Sequence, residues 1–137
     1  GGGPTLRGLQ QISQAEREEL LDYLRNMDLY AAVEVGGRTF VLTHAGLDHF
    51  EAEKPLEDYE LLDFLLRRPN PRDEIWHDKN KFLVYGHTPT RVLREQMGES
   101  PADTILRCGQ QIAIDCACVF NGKLGCLCLD TLEEIYV

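Results

Sequence analysis

The sequence predicts a mixed α/β chain of the α+β kind, with a sheet covered on both faces, antiparallel strands toward the C-terminus and flanking helices. Three observations point there. A capped segment with apolar residues at helical period lies near the start, two apolar strands each stop at a histidine among small residues, and short strand-like runs fill the C-terminal third. With 137 residues, 43% of them hydrophobic, the chain can bury one ordinary core.

The elements follow in order. Gly1-Gly2-Gly3-Pro4 leads directly into helix, with no strand before it. Ser13 and Glu16 have the capping-box spacing, and Leu20, Leu21, Leu24 and Met27 continue as an apolar stripe, which predicts a helix over 14–27. Residues 32–35 and 39–43 flank Gly36-Gly37 and read as a hairpin whose second strand runs into His44-Ala45-Gly46. A second helix is expected over 57–66, where Tyr59, Leu62, Leu65 and Leu66 recur on one side before Pro69 and Pro71 stop it. The strand 82–85 ends abruptly in Gly86-His87-Thr88-Pro89-Thr90. Residues 105–107, 111–120, 123–130 and 133–137 read as consecutive antiparallel strands of one sheet. Ile112, Ile114, Cys116 and Cys118 form one apolar face there, and Ala113, Ala117 and Val119 leave the other nearly as apolar, so helices should cover both sides.

Charge and hydropathy exclude several functions. The 14 Lys and Arg against 23 Asp and Glu give a net charge of −9, which argues against a nonspecific grip on nucleic acid or anionic lipid. No apolar run reaches the roughly 20 residues that cross a bilayer, and no basic-then-apolar signal opens the chain. No membrane partner and a cytoplasmic location are therefore expected.

Four of the five cysteines form two Cys-x-Cys pairs, Cys116 with Cys118 and Cys126 with Cys128, so a four-thiolate zinc site has to be weighed. Asn121-Gly122 between apolar runs signals a two-residue hairpin turn that would pair Phe120 with Lys123 and Cys118 with Gly125. In that register the two pairs face opposite sides of the sheet and cannot chelate one ion. Buried, reduced thiols with neither zinc nor a disulfide between the pairs are the expectation, in keeping with a reducing compartment.

His44 and His87 share a local design in which an apolar strand stops and a histidine stands among Gly, Ala and Thr. Small neighbours let the backbone approach an ion, and a neutral imidazole at a rigid strand end is aimed at little entropic cost. A lone histidine of this kind caps a strand more often than it ligates, but two with matching design make a metal site a real alternative.

Thr43-His44-Ala45-Gly46-Leu47 and Val84-Tyr85-Gly86-His87-Thr88-Pro89-Thr90 resemble the fourth and fifth signature blocks of the calcineurin-like metallophosphoesterases, in the bacterial serine/threonine protein phosphatase branch. Ile112-Ala113-Ile114-Asp115-Cys116, Asn121-Gly122-Lys123-Leu124 and Leu129-Asp130-Thr131 resemble that family's closing strands, and Gly2-Gly3-Pro4-Thr5-Leu6 resembles the segment after its third block. The resemblance implies half of a four-layer αββα sandwich and a metal-dependent hydrolase acting on phosphoserine and phosphothreonine in proteins. It also implies two divalent metal ions, with His44 and His87 ligating the same one. Imidazole suits Mn, Fe, Zn or Ni, and Mn is the expected ion. His49 and His77 match no ligand block and are expected either at the surface or supporting the ligands from behind.

The family also holds the substrate phosphate with an arginine ahead of the Gly-His-Thr block, where a planar guanidinium can donate two parallel hydrogen bonds. Arg68 is the positional match and the candidate for catalytic phosphate binding. Leu66 stands where relatives carry Trp, and Arg67 and Arg72 are neighbours able to take the role. The plain alternative is a helix C-terminus whose basic residues oppose the macrodipole.

The family's first three blocks, Asp-x-His, Gly-Asp-x-x-Asp-Arg and Gly-Asn-His-Glu, occur nowhere in these residues. They carry the other metal's ligands, the bridging aspartate and the leaving-group acid. Residues 1–137 are thus expected to be the C-terminal portion of a single metallophosphoesterase domain, inactive alone and partnered by the N-terminal half. Hydrolysis of dinucleoside polyphosphates and a non-catalytic interaction module on the same scaffold are the competing readings.

Overall fold

The computed structural model describes the chain except for Gly1, Asp48, Ala52 and Arg67. The chain begins with α1 (Gly3–Gln11), with Pro4 in its first turn, followed by α2 (Gln14–Arg25). Ser13 caps α2 through the reciprocal box with Glu16 that its spacing predicts. Arg17 ties the two helices together by donating to the Leu9 carbonyl at 3.0 Å. Neither helix buries a residue; Leu24 and Met27 of the predicted stripe remain 52% and 53% exposed.

The hairpin forms as expected. β1 (Tyr30–Val35) pairs antiparallel with β2 (Arg38–Thr43) across Gly36 and Gly37, whose φ of 56° and 75° suit the two-residue turn. β2 pairs in parallel with β3 (Lys81–Tyr85), and β3 in parallel with β5 (Gln111–Ala113). β4 (Leu106–Cys108) runs antiparallel to β5, so the five-stranded order is β1-β2-β3-β5-β4.

Alternation along these strands builds a core on each side. Val41, Leu83, Tyr85, Leu106 and Ala113 meet Leu47, Phe64, Ile75 and Leu93 on one face, with Phe64 from α3 (Leu61–Leu65) and Leu93 from α4 (Thr90–Gln96). Phe40, Val84, Ile112, Ile105 and Cys116 form the second core, covered by Leu127, Leu129, Leu132 and Tyr136. The sheet is therefore mixed and covered on both faces, by helices on the first but by C-terminal strands and turns on the second, where the sequence also predicts helices. A small antiparallel sheet, β6 (Gly125–Leu127) with β7 (Glu134–Tyr136), contributes part of that second cover.

Three expectations are corrected. The C-terminal runs do not form one antiparallel sheet: β5 lies parallel to β3, and β6 pairs with β7 alone. The strand expected over 111–120 stops at Ala113; further on, Ala117 turns left-handed at φ 60° and Cys118–Phe120 coils into a 3-10 turn. Asn121 takes φ 62° as its side chain allows, but it serves that corner instead of a hairpin. Gly122 is required there, since a Cβ would stand 2.3 Å from the Cys116 carbonyl oxygen. The helix expected over 57–66 breaks into a 3-10 turn at Leu56–Asp58 and the five-residue α3. Tyr59 is extended between them because its hydroxyl is engaged at the Glu51 backbone, accepting from N–H and donating to C=O.

Among the described residues no helix is long and apolar enough to cross a membrane. All five thiols are free, but only Cys116 is buried; Cys118 and Cys126 are exposed and Cys108 and Cys128 half-buried. The expectation of buried thiols holds for Cys116 alone. Burial, then the neighbouring Asp115 carboxylate, pushes its thiol pKa up. At Cys128 the Thr131 hydroxyl, followed by the Thr131 and Asp130 backbone, holds the thiol pKa down.

Candidate functional site

β2, β3 and β5 lie side by side in parallel, so their carboxyl ends open onto one edge of the sheet, where side chains can converge from neighbouring strand ends. His44 follows the last residue of β2, and His87 stands two residues past β3. Gly86 joins these turns by donating its N–H to the His44 carbonyl at 2.9 Å. Beside it, a Cβ on Gly86 would already touch that carbonyl oxygen at 3.7 Å and the Asp115 Cβ at 3.9 Å.

The two imidazoles meet. His44 Nε2 lies 3.1 Å from His87 Nδ1, with ring centroids 4.9 Å apart and planes tilted by 58°. One neutral ring can donate to the other at that distance. The same nitrogens also fit a shared ion: with bonds of about 2.1 Å, half of 3.1 Å over the bond length gives a half-angle of about 48°, hence about 95° between ligands. That value is compatible with octahedral coordination and narrow for tetrahedral. Both rings are exposed, and His87 is held at φ 67°, a left-handed conformation uncommon for a residue with a Cβ.

Among the described residues no group of three His, Cys, Asp or Glu side chains converges as a metal site. The structure thus brings together a pair of imidazoles, fewer than the three protein ligands usual in catalytic zinc sites. His77 and His49 are exposed, with His77 3.9 Å from the Glu53 carboxylate.

Arg68 is exposed, and its segment reaches the histidine turn through its neighbour. Buried Pro69 packs on Gly46, at φ 104°; a Cβ there would lie 2.5 Å from Pro69 Cγ. Phe64 accepts the Ala45 N–H at 2.8 Å, fixing the same turn from α3. Of the alternative arginines, Arg72 donates to the Met97 carbonyl at 2.9 Å and lies 3.9 Å from Glu99, while Arg67 falls outside the described residues.

Asp115 was not singled out by sequence reasoning as a site-edge residue. It stands two residues past β5, the third parallel strand end, where its Oδ1 accepts from Ala117 N–H and its carbonyl from Thr90 N–H. The available signal was its place after an apolar strand, the pattern that marked the histidines. Thr88 and Tyr85, on either side of Gly86-His87, bury hydroxyls that find no hydrogen-bond partner among the described residues. Burial holds the Tyr85 phenol well above its ordinary range.

Beside His44 opens a cavity of about 580 Å³, lined by Leu24, Met27, Leu29, Leu42, Leu61 and Leu65 among others. His44, one of the pair, thus borders an apolar trough. Neither the models of known protein families nor the curated proteins yield a match to this sequence.

Proposed function

We propose that this chain supplies part of the active site of a metal-dependent phosphoester hydrolase, acting as a serine/threonine protein phosphatase. The observation that carries the reading is the 3.1 Å approach of His44 Nε2 and His87 Nδ1 at the carboxyl ends of adjacent parallel strands. The ends of β2 and β3 hold the imidazoles at one ion, and Arg68 binds and orients a phosphate oxygen pair beside them. Two divalent ions, Mn foremost and Fe, Zn or Ni as alternatives, supply Lewis acidity and a nucleophile at neutral pH when bound.

Two imidazoles are too few for a stable catalytic centre, so the remaining ligands come from a polypeptide carrying the three missing blocks. We place that polypeptide over the apolar trough next to His44, where it would complete a four-layer αββα sandwich with the mixed sheet as one of its layers. The chain alone is inactive on this reading, and the completed protein works in the cytoplasm.

The test pairs binding with activity. Imidazole signals of His44 and His87 should broaden together at substoichiometric Mn, and His44→Ala should abolish the response at His87. Hydrolysis of an aryl phosphate should be negligible for the chain alone and Mn-dependent once the three blocks are supplied. Independent responses of the two histidines to Mn would end the shared-ion reading, and strong activity of the pure chain would end the divided site.

A further inference from the structure

We propose that Gln111 is a positioning residue for phosphate binding, holding the segment after Arg68 in place. The proposal rests on the reading of Arg68 as the phosphate-binding arginine. Gln111 opens β5 two residues before Ala113, so by strand alternation it shares the face that belongs to the first core, and it is only 1% exposed. An apolar side chain would serve packing there. Instead its Nε2 donates two hydrogen bonds across the core, to the Asn70 and Asp73 carbonyls, each at 2.9 Å.

Both acceptors are backbone oxygens, so the amide clamps the path of the chain rather than any side chain. The clamped turn is closed further by Asp73 N–H to Asn70 C=O at 3.1 Å and Asn70 Nδ2 to Asp73 Oδ1 at 2.8 Å. Immediately before it, Pro69 packs on Gly46, two residues from His44. Gln111 therefore fixes one end of a short segment whose other end, Pro69 next to Arg68, packs on the histidine turn at Gly46. Its Oε1 is buried with no partner among the described residues, so the amide is kept at a desolvation cost that an apolar residue would avoid. Geometry of the loop is what it secures.

Neighbouring Gln110 provides the control. Its Nε2 donates to the Asp78 and Lys81 carbonyls at 2.6 and 2.9 Å, and its Oε1 accepts from Trp76 N–H at 3.4 Å. Gln110 thus holds the far end of the same connection, away from Arg68. A merely structural role would make the two glutamines equivalent; a positioning role sets Gln111 apart.

The experiment uses the whole chain with inorganic phosphate as the probe, read by the Arg68 Nε–H resonance and by amide exchange at Asp73. Gln111→Met keeps the volume and removes both donors; Gln111→Asn keeps the donors but retracts them, and carries the measurement if the first variant does not fold. Amide shifts of β2 and β3 verify the fold. The expected result is at least tenfold faster exchange at Asp73 and at least tenfold weaker phosphate response at Arg68 in the Gln111 variants, with Gln110→Met leaving the Arg68 response within twofold. A normal phosphate response in folded Gln111 variants overturns the proposal while leaving Arg68 as the phosphate residue. Equal losses in the Gln110 and Gln111 variants overturn it as well. No response in the unsubstituted chain removes the role of Arg68, and the positioning role with it.

Discussion

Gly46→Ala tests whether contact between the histidine turn and the Arg68 segment holds this edge together. At φ 104° an alanine meets backbone strain of about 1–2 kcal/mol. Its Cβ would also lie 2.5 and 2.7 Å from Pro69 Cγ and Cδ, far inside an ordinary carbon contact of about 3.5–4.0 Å. Buried Pro69 has a rigid ring and cannot swing aside, so the turn or the proline segment must shift, an overpacking cost of about 1–3 kcal/mol. Reduced freedom of the unfolded chain returns about 0.4–1 kcal/mol. The net loss should be about 2–4 kcal/mol, lowering a urea midpoint by about 1–2 M for a slope near 2 kcal/mol per M. Gly37→Ala isolates the contact, because φ there is 75° but nothing lies within 4 Å of the added carbon. It should cost about 1 kcal/mol. Equal losses for the two variants would refute the packing of Pro69 on Gly46.

If the proposed phosphatase reading holds, Arg68→Ala in the completed protein should raise KM and lower kcat, with kcat/KM reduced by about 10–100-fold for a lost charge-assisted pair; unchanged steady-state kinetics would reassign phosphate binding to another residue. Tyr85→Phe removes a buried hydroxyl that has no partner among the described residues, so denaturation at pH 7 should show stability unchanged or raised by up to about 2 kcal/mol. The sign at high pH follows from the raised folded pKa: stability is full below the unfolded value of about 10 and falls by about 1.4 kcal/mol per unit above it, a loss that Tyr85→Phe should reduce. For the thiols, alkylation resolved by mass spectrometry should find Cys116 slowest, and Thr131→Ala should slow Cys128 by removing the group that most lowers its pKa.

What the sequence made legible is what local chemistry decides. The Ser13–Glu16 box, the Gly36-Gly37 turn and the strand ends before His44 and His87 each follow from a few adjacent residues, and each is where expected. The failures share a different cause. Tyr59 ends a helical pattern because its hydroxyl finds the Glu51 backbone, and the 111–120 run leaves the sheet because Asp115 and Ala117 turn it toward Lys123 and α4. Both are tertiary choices that apolar periodicity does not encode. The short helix α4 was missed outright, since seven residues behind Pro89 offer too little pattern to register.

The candidate site was half legible for the same reason. Each histidine is marked by its own neighbours, but the sequence does not state that β2 and β3 are adjacent and parallel. That pairing brings residues 43 positions apart to 3.1 Å. It has a second consequence for Arg68. Parallel neighbours cannot be joined by a tight turn, so the chain must leave β2 at its carboxyl end and travel back to the start of β3. Arg68 lies on that return path, which passes Gly46 before Gln111 and then Gln110 lead it down to Lys81. A crossover that starts at the histidine edge therefore carries Arg68 away from that edge, and on the proposed reading its aim depends on the buried Gln111 amide that holds the turn after it.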